Sequence, residues 1–292
     1  MLLTKSQTRT ADLLRVSFNQ VHRVMHRGVK LGLSRRSHDE RYYYLSIDEK
    51  AVGKGHNYVS ILSDEQADIV IDVVDGRSDE SVDELCQTSL TPTQRNAVQT
   101  VCTDMWKPYI KGVKTYFPDA LHCHDNFHIV GYLNKAVDKC RRREVKKHED
   151  LKHTKYLFLK DKKNLTEEQH VKFESIKNAN YEVSRAWRIK ENFRDILRMQ
   201  PLDESITLYR IWKRDALNAD IKEINEVIEM FNRHEDGILN ALTTGVNNAR
   251  AERLNGSIQE LKTIGRGYRN TQNFRISILF FLGGLDVAPH KK

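Results

Sequence analysis

The sequence predicts a mixed α/β fold: three antiparallel strands, then strands alternating with helices, then a long all-helical stretch. Three observations predict it. From Tyr42, three short runs rich in Val, Ile and Tyr (YYYLSID, HNYVSIL, ADIVIDVV) follow one another, with only GKG and SDEQ as turn segments. Such short connections suit a meander and are too short for parallel crossovers. Next, AVQTVCTD and ALHCHD read as strands on either side of a helix from about Pro108 to Tyr116. Last, from Lys146 to Glu235 every apolar pattern has helical spacing.

Taken in order, residues 1–36 read as helical and basic, with Ser17 a plausible cap for a second helix. That pattern fits the tail of a helix-turn-helix, whose second helix would lie in a major groove. It fits equally a plain amphipathic helix packed on the main domain. After the three strands, a helical stretch covers Ser78 to Gln99 and breaks near Pro92. AVQTVCTD then reads as a buried strand ending at Asp104. From Phe127, Val130, Leu133, Val137 and Cys140 recur on one helix face and lead into RRREVKK. Thr166 and Gln169 form a capping-box start, after which Phe173, Ile176, Val183, Trp187 and Phe193 lie on one side of a long helix. Shorter helices cover about Ser205–Leu217 and Asp220–His234. Asn248 suits the cap of a last core helix, and GRGYRNTQNF turns the chain into the apolar segment ISILFFLGGL.

The resulting order, β-β-β-α-β-α-β-α, is that of the ribonuclease-H-like fold, although other mixed α/β folds share parts of it. The expected division is a basic helical segment over 1–40, a first core part over 41–145, a helical insertion over 146–240 and a closing core part over 241–292.

Composition narrows the function classes. No run approaches the roughly 18 to 20 apolar residues of a membrane span, and the first residues lack the apolar core of a signal peptide. The four cysteines, Cys86, Cys102, Cys123 and Cys140, form no CxxC pair, so free thiols in a reducing cytosol are expected rather than a zinc ribbon or disulfides. A net charge of +8 suits a polyanionic partner, as it suits many ordinary basic proteins.

Candidate chemistry sits at strand ends. Asp48 closes the first strand and Asp104 the fourth, and in the proposed fold those strands are neighbours. Two carboxylates held close repel, and a divalent cation relieves that cost. Oxygen-only ligands suit Mg²⁺ or Mn²⁺. A third carboxylate must come from a helix beside that edge, and Glu252 lies on the first strong helix after the insertion. Two metal ions about 4 Å apart would then hold one scissile phosphate between the attacking and the leaving oxygen. Each residue also has a plainer reading: Asp48 as a turn residue before GKG, Asp104 as a helix cap, Glu252 as a surface ion-pair partner between Arg250 and Arg253.

The wording around these positions is specific. SIDEKAVGKGHNYVSILSD, VCTDMWKPYIKGVKTYFPDALHCHDNFHIV and NNARAERLNGSIQELKTIGRGYRNTQNF resemble the catalytic core of bacterial insertion-sequence transposases of the ISL-three family, in the family's order and with similar gaps. The resemblance runs from about Tyr43 to the C-terminus. It implies a DDE-type transposase with a ribonuclease-H-like core and a long helical insertion before the last acidic residue. It further implies that Asp48, Asp104 and Glu252 are the catalytic, metal-holding carboxylates, with Mg²⁺ or Mn²⁺ as cofactor. The implied partners are the terminal inverted repeats of the element and target DNA, both double-stranded, with a homodimer acting on paired ends in the bacterial cytoplasm, at the nucleoid. Family members usually carry paired cysteines and a helix-turn-helix before this core. The cysteine pairs are absent here and only about 40 residues, with a helix-turn-helix remnant over 1–40, precede Asp48, so an N-terminally shortened chain is expected. The alternative expectations are a truncated, non-catalytic DNA-binding relative and a ribonuclease-H-like nuclease acting on branched DNA or hybrids.

Further residues fit the same scheme. Lys54 and His56 follow Asp48 in the hairpin; Arg141, Arg142, Arg143 and Arg253 are further candidates for phosphate contact, and the arginine run fits a solvated helix end as well. His122, Cys123, His124, Asp125 and His128 form a dense set of potential ligands, with Asp125 the reserve carboxylate. Trp106 and Trp187 read as core in preference to base-stacking residues. Asn255, one turn from Glu252, fits a role in orienting a metal-bound water, or a surface amide.

Overall fold

The computed structural model describes residues 4–53, 57–160, 164–199, 204–245, 249–268 and 270–288, the side chains of 249–252 excepted. The chain forms two compact units, one of Met1–His122 with Asn248–Lys292 and one of Cys123–Asn247.

The first unit opens with α1 (Gln7–Leu14) and α2 (Phe18–Arg35). Ser17 caps α2 as its sequence suggested: its hydroxyl accepts from the Gln20 amide while the Gln20 side chain reaches back to the Ser17 amide. Val21, Met25 and Val29, four residues apart, bury one stripe of α2 in the core. The strands are β1 (Tyr44–Ala51), β2 (Tyr58–Asp64) and β3 (Ile69–Asp75). After α3 (Asp79–Ser89) and α4 (Pro92–Asn96) come β4 (Thr100–Thr103), α5 (Lys107–Tyr116) and β5 (Leu121–His124).

The sheet order is β3-β2-β1-β4-β5. The β1–β2 and β2–β3 pairs are antiparallel, and β1–β4 is parallel. This mixed five-stranded sheet, a meander whose first strand is flanked by a crossover strand, is the ribonuclease-H-like arrangement. Successive side chains alternate between its faces. Leu45, Ile47, Leu62 and Val101 pack with Val82 and Leu85 of α3 and Tyr109 and Val113 of α5. Gly112 allows the close approach of those two helices, since a Cβ there would overlap Val82 Cγ1. Val59, Ile61, Val70 and Val73 belong to a second cluster, with α2, α13 (Ala249–Ile264) and α14 (Thr271–Leu282). Arg275 of α14 clamps the buried Asp72 of β3 through two bonds of 2.8 and 3.1 Å.

The second unit is helical beyond the end of β5: α6 (Asn126–Glu144), α7 (Lys155–Leu159), α8 (Glu167–Lys177), α9 (Glu182–Arg198), α10 (Ser205–Asn218), α11 (Lys222–Arg233) and α12 (Glu235–Thr244). Thr166 caps α8 in the expected box with Gln169. The apolar stripe from Phe173 to Phe193 is carried by two helices rather than one, because the chain breaks at Asn178–Tyr181. The break is held by distant groups. Glu144, at the end of α6, accepts the amides of Glu182 and Val183 at 3.0 and 2.7 Å, and Ser184 donates to the Ile176 carbonyl at 2.9 Å. A carboxylate thus fills the place of a cap at the positive end of α9, where Tyr181 supplies no side-chain bond. Phe193, Tyr209, Trp212 and Phe231 form the aromatic centre of this unit.

All four cysteines are buried and none is in a disulfide, and burial pushes the Cys123 thiol up to about 11. Among the described residues no helix is long and apolar enough to cross a membrane.

Because Glu144 is buried and holds two helix-end amides, Glu144→Ala removes two charge-assisted bonds. We expect a loss of about 2–4 kcal/mol in the stability of the helical unit, with Glu144→Gln milder. Urea denaturation followed by circular dichroism checks this; wild-type stability in Glu144→Ala would refute the capping role.

Candidate active site

The site is built by one parallel pairing. β1 and β4 run side by side from Tyr44↔Thr100 to Ile47↔Thr103. The next residue in each case is an aspartate: Asp48, inside β1, and Asp104, just past the end of β4. Parallel neighbours at one register position share a sheet face, roughly 5 Å apart at the backbone. Both carboxylates are half-buried. The structure therefore brings these two residues together at the C-terminal edge of the sheet, where alternation of β1 sets Asp48 on the face covered by α13.

Each aspartate is fixed locally. Asp104 accepts the Trp106 amide at 2.8 Å, the usual Asx turn before a helix. The Thr103 hydroxyl donates to the Asp104 carbonyl at 2.7 Å. Its single proton being committed there, the hydroxyl accepts from His122 Nε2 at 2.8 Å, which assigns the proton to that nitrogen. Asp48 accepts the Glu49 amide at 2.7 Å through Oδ1 and the Asn255 side-chain amide at 2.5 Å through Oδ2.

Asn255 belongs to α13, whose Leu254, Ile258 and Leu261 are buried in the core at helical spacing. Three further bonds align α13 along the first unit. Lys50 reaches the Asn255 carbonyl at 3.4 Å, Lys262 the Ala51 carbonyl at 2.7 Å, and Arg253 the Asp68 carboxylate at 2.5 Å. Glu252 lies on α13 one turn before Asn255; its side chain falls outside the described residues, as do Lys54, His56 and Asn248.

The local field is negative. Burial drives the Tyr109 phenol well above its ordinary pKa; a bond to Ser60 opposes this, and Glu49, Asp104 and Asp48 add to it. Burial lowers the Lys50 pKa, which Asp48 opposes and Lys262 reinforces. Glu49 points to the face opposite Asp48 and pairs with Arg77 at 3.1 Å.

The other candidates scatter. Asp125 caps α6 through the Phe127 amide at 2.7 Å and lies 3.8 Å from His128. His124 is buried edge-on to His234, with ring centroids 5.3 Å apart. Among the described residues no three His, Cys, Asp or Glu side chains gather as a metal site. Arg141 is buried against Asp138, and Arg143 bridges Glu182 and Glu223. Arg142 and Arg253 are exposed, although each also meets a carboxylate. Trp187 is core, as its sequence suggested, whereas Trp106 is 39% exposed. The reason is its place at the cap of α5, outside the buried face of that helix.

Removing the amide of Asn255 deprives Asp48 of a charge-assisted bond, so Asn255→Ala should cost about 1–3 kcal/mol. Asn255→Asp sets a carboxylate against Asp48. Mutual repulsion raises the folded-state pKa of such a pair above the unfolded value of about 4. The extra destabilisation is then present at neutral pH and recedes as acidification protonates the pair. Thermal melts at pH 7 and pH 5 test this; a penalty independent of pH would contradict the contact.

A family model described as a transposase, the ISL3 type of the DDE transposases, matches residues 45–278. The transposase for insertion sequence element IS1001 of Bordetella parapertussis is 24% identical over 243 residues, covering 80% of this chain and 60% of its own length. The transposase for IS1557 of Mycobacterium tuberculosis is 24% identical over 314 residues, covering 98% of this chain and 69% of its own. The chain thus spans roughly three-fifths to two-thirds of the length of these curated relatives. A looser likeness, with TM-score 0.47 and 10% identity, covers 96% of this chain and 89% of a chain in the Drosophila P element transposase strand transfer complex.

Proposed function

The chain belongs to the ISL3-type family of DDE transposases, and on that premise we propose that it cleaves and transfers DNA strands at the ends of an insertion sequence. Asp48, Asp104 and Glu252 are the proposed catalytic carboxylates. The observation that carries the reading is the register of β1 with β4, which makes Asp48 and Asp104 neighbours at one sheet edge. The donor set fits the proposed cofactor: carboxylate oxygens suit Mg²⁺ or Mn²⁺. When bound, such ions activate the attacking water or 3′-hydroxyl and stabilise the leaving oxygen.

The protein's own contribution is positional. Asn255 holds one oxygen of Asp48, and the Trp106 amide holds one of Asp104, so both carboxylates have fixed orientations before substrate arrives. Glu252, one turn from Asn255 on a helix anchored to β1, is the proposed third ligand. The proposed substrate is double-stranded DNA, both the terminal inverted repeats and the target, with a homodimer pairing the ends. The net charge of +8 supports that partner. Of the proposed phosphate contacts, Arg142 and Arg253 are the exposed guanidiniums described, and Lys54 and His56 complete the set. Arg141 and Arg143, held by carboxylates, are assigned first to the integrity of the helical unit. The proposed insertion between the first core part and the last catalytic helix, residues 146–240, falls within that unit.

The test is cleavage of a plasmid carrying the DNA that flanks the gene, with Mg²⁺ or Mn²⁺, by wild type and Glu252→Gln side by side. Cutting at element ends by wild type, with a loss of about 10²-fold or more in the folded variant, is expected. Substantial cutting by folded Glu252→Gln would refute the assignment of the third carboxylate.

A further inference from the structure

We propose that Trp106 is a stacking platform for an unpaired nucleobase of the DNA strand next to the acidic pair, a role that rests on the function proposed above. The starting observation is an exposed indole that is nevertheless rigidly held. Its backbone amide donates to Asp104 at 2.8 Å, and its ring nitrogen donates to the Arg77 carbonyl at 3.0 Å. The Arg77 guanidinium carbon lies 4.8 Å from the Trp106 ring centroid and 3.9 Å from that of Tyr58. Glu49 holds the same guanidinium at 3.1 Å. Arg77 is therefore fixed between two rings and a carboxylate, and it backs one side of the indole.

With that side covered, the exposure of Trp106 belongs to the remainder of the ring. The other two tryptophans, Trp187 and Trp212, are buried, at 6% and 5%. Trp106, at 39%, is instead exposed two residues from Asp104, with Lys107 exposed beside it. Aromatic planes backed by cations bind bases by their π-faces without regard to sequence. Where a base near the scissile phosphate leaves the duplex, a fixed ring beside the carboxylates stabilises it by stacking. A protein partner is the competing occupant; the exposed Lys107 beside the ring and the net charge of +8 favour nucleic acid.

The test uses the whole chain in EDTA, so that binding is read without cleavage. The probes are a blunt duplex and the same duplex with a short unpaired 3′ overhang, each labelled for anisotropy. Tryptophan emission is followed in parallel, since Trp106 is the exposed one of the three tryptophans. Wild type should bind the overhang more tightly than the blunt end and lose emission as it does so. Trp106→Ala should bind the overhang about 5- to 100-fold more weakly with blunt binding little changed. Trp106→Phe, which keeps an aromatic plane and guards against misfolding, should keep most of the preference.

Equal binding of the overhang by Trp106→Ala and wild type would overturn the proposal, as would an equal loss on both duplexes. A change of sedimentation from dimer to monomer in Trp106→Ala would overturn it in favour of a protein interface. DNA binding without overhang preference removes the platform alone, whereas no binding of either duplex by folded wild type removes the proposed function with it.

Discussion

The parallel pairing of β1 with β4 is the constraint on which the candidate site depends. Its last pair, Ile47↔Thr103, fixes where two non-adjacent parts of the sequence bring acidic residues side by side. A slip of one residue would send one aspartate to the opposite face, because side-chain direction alternates along a strand. Register is set by burial: Leu45, Ile47 and Val101 all enter one cluster with α3 and α5. Core packing thereby determines the spacing of two polar groups that make no direct contribution to it. The proximity is electrostatically unfavourable in itself, and the surrounding donors, Asn255 and two backbone amides, oppose that cost.

Much of this was legible in the sequence, for identifiable reasons. Short β-rich runs with brief turns could only form a meander, and Asp104 follows the end of β4 as expected, whereas β1 does not close at Asp48 but runs on to Ala51, paired with β2. Ser17–Gln20 and Thr166–Gln169 are local devices, complete within four residues, and such devices can be read directly. What escaped depends on partners remote in sequence. The break between α8 and α9 is fixed by Glu144, nearly forty positions upstream. Trp106 was assigned to the core by residue type; its exposure follows from its bonds to Asp104 and to Arg77 on another element. Asn255 stood out for its helical spacing from Glu252, yet its bond to Asp48 spans 207 positions and required the folded helix.

Three carboxylates crowd this edge, and their surroundings separate them. Glu49 follows Asp48 directly, so the pleat turns it to the α3/α5 face, where Arg77 neutralises it. Asp48 faces α13 and meets a neutral amide, while Lys50, the nearest cation on its own strand, directs its ammonium to the Asn255 carbonyl. An amide orients a carboxylate without cancelling its charge; a guanidinium does both. The strand thus places a charge-compensated acid on one face and an oriented acid on the other, beside Asp104. That asymmetry supports the proposed cation site. A carboxylate already matched by arginine gains little from a metal ion, whereas two oriented acids held together gain the most. The same logic gives Arg77 its place: it answers Glu49 and holds the aromatic rings of Tyr58 and Trp106.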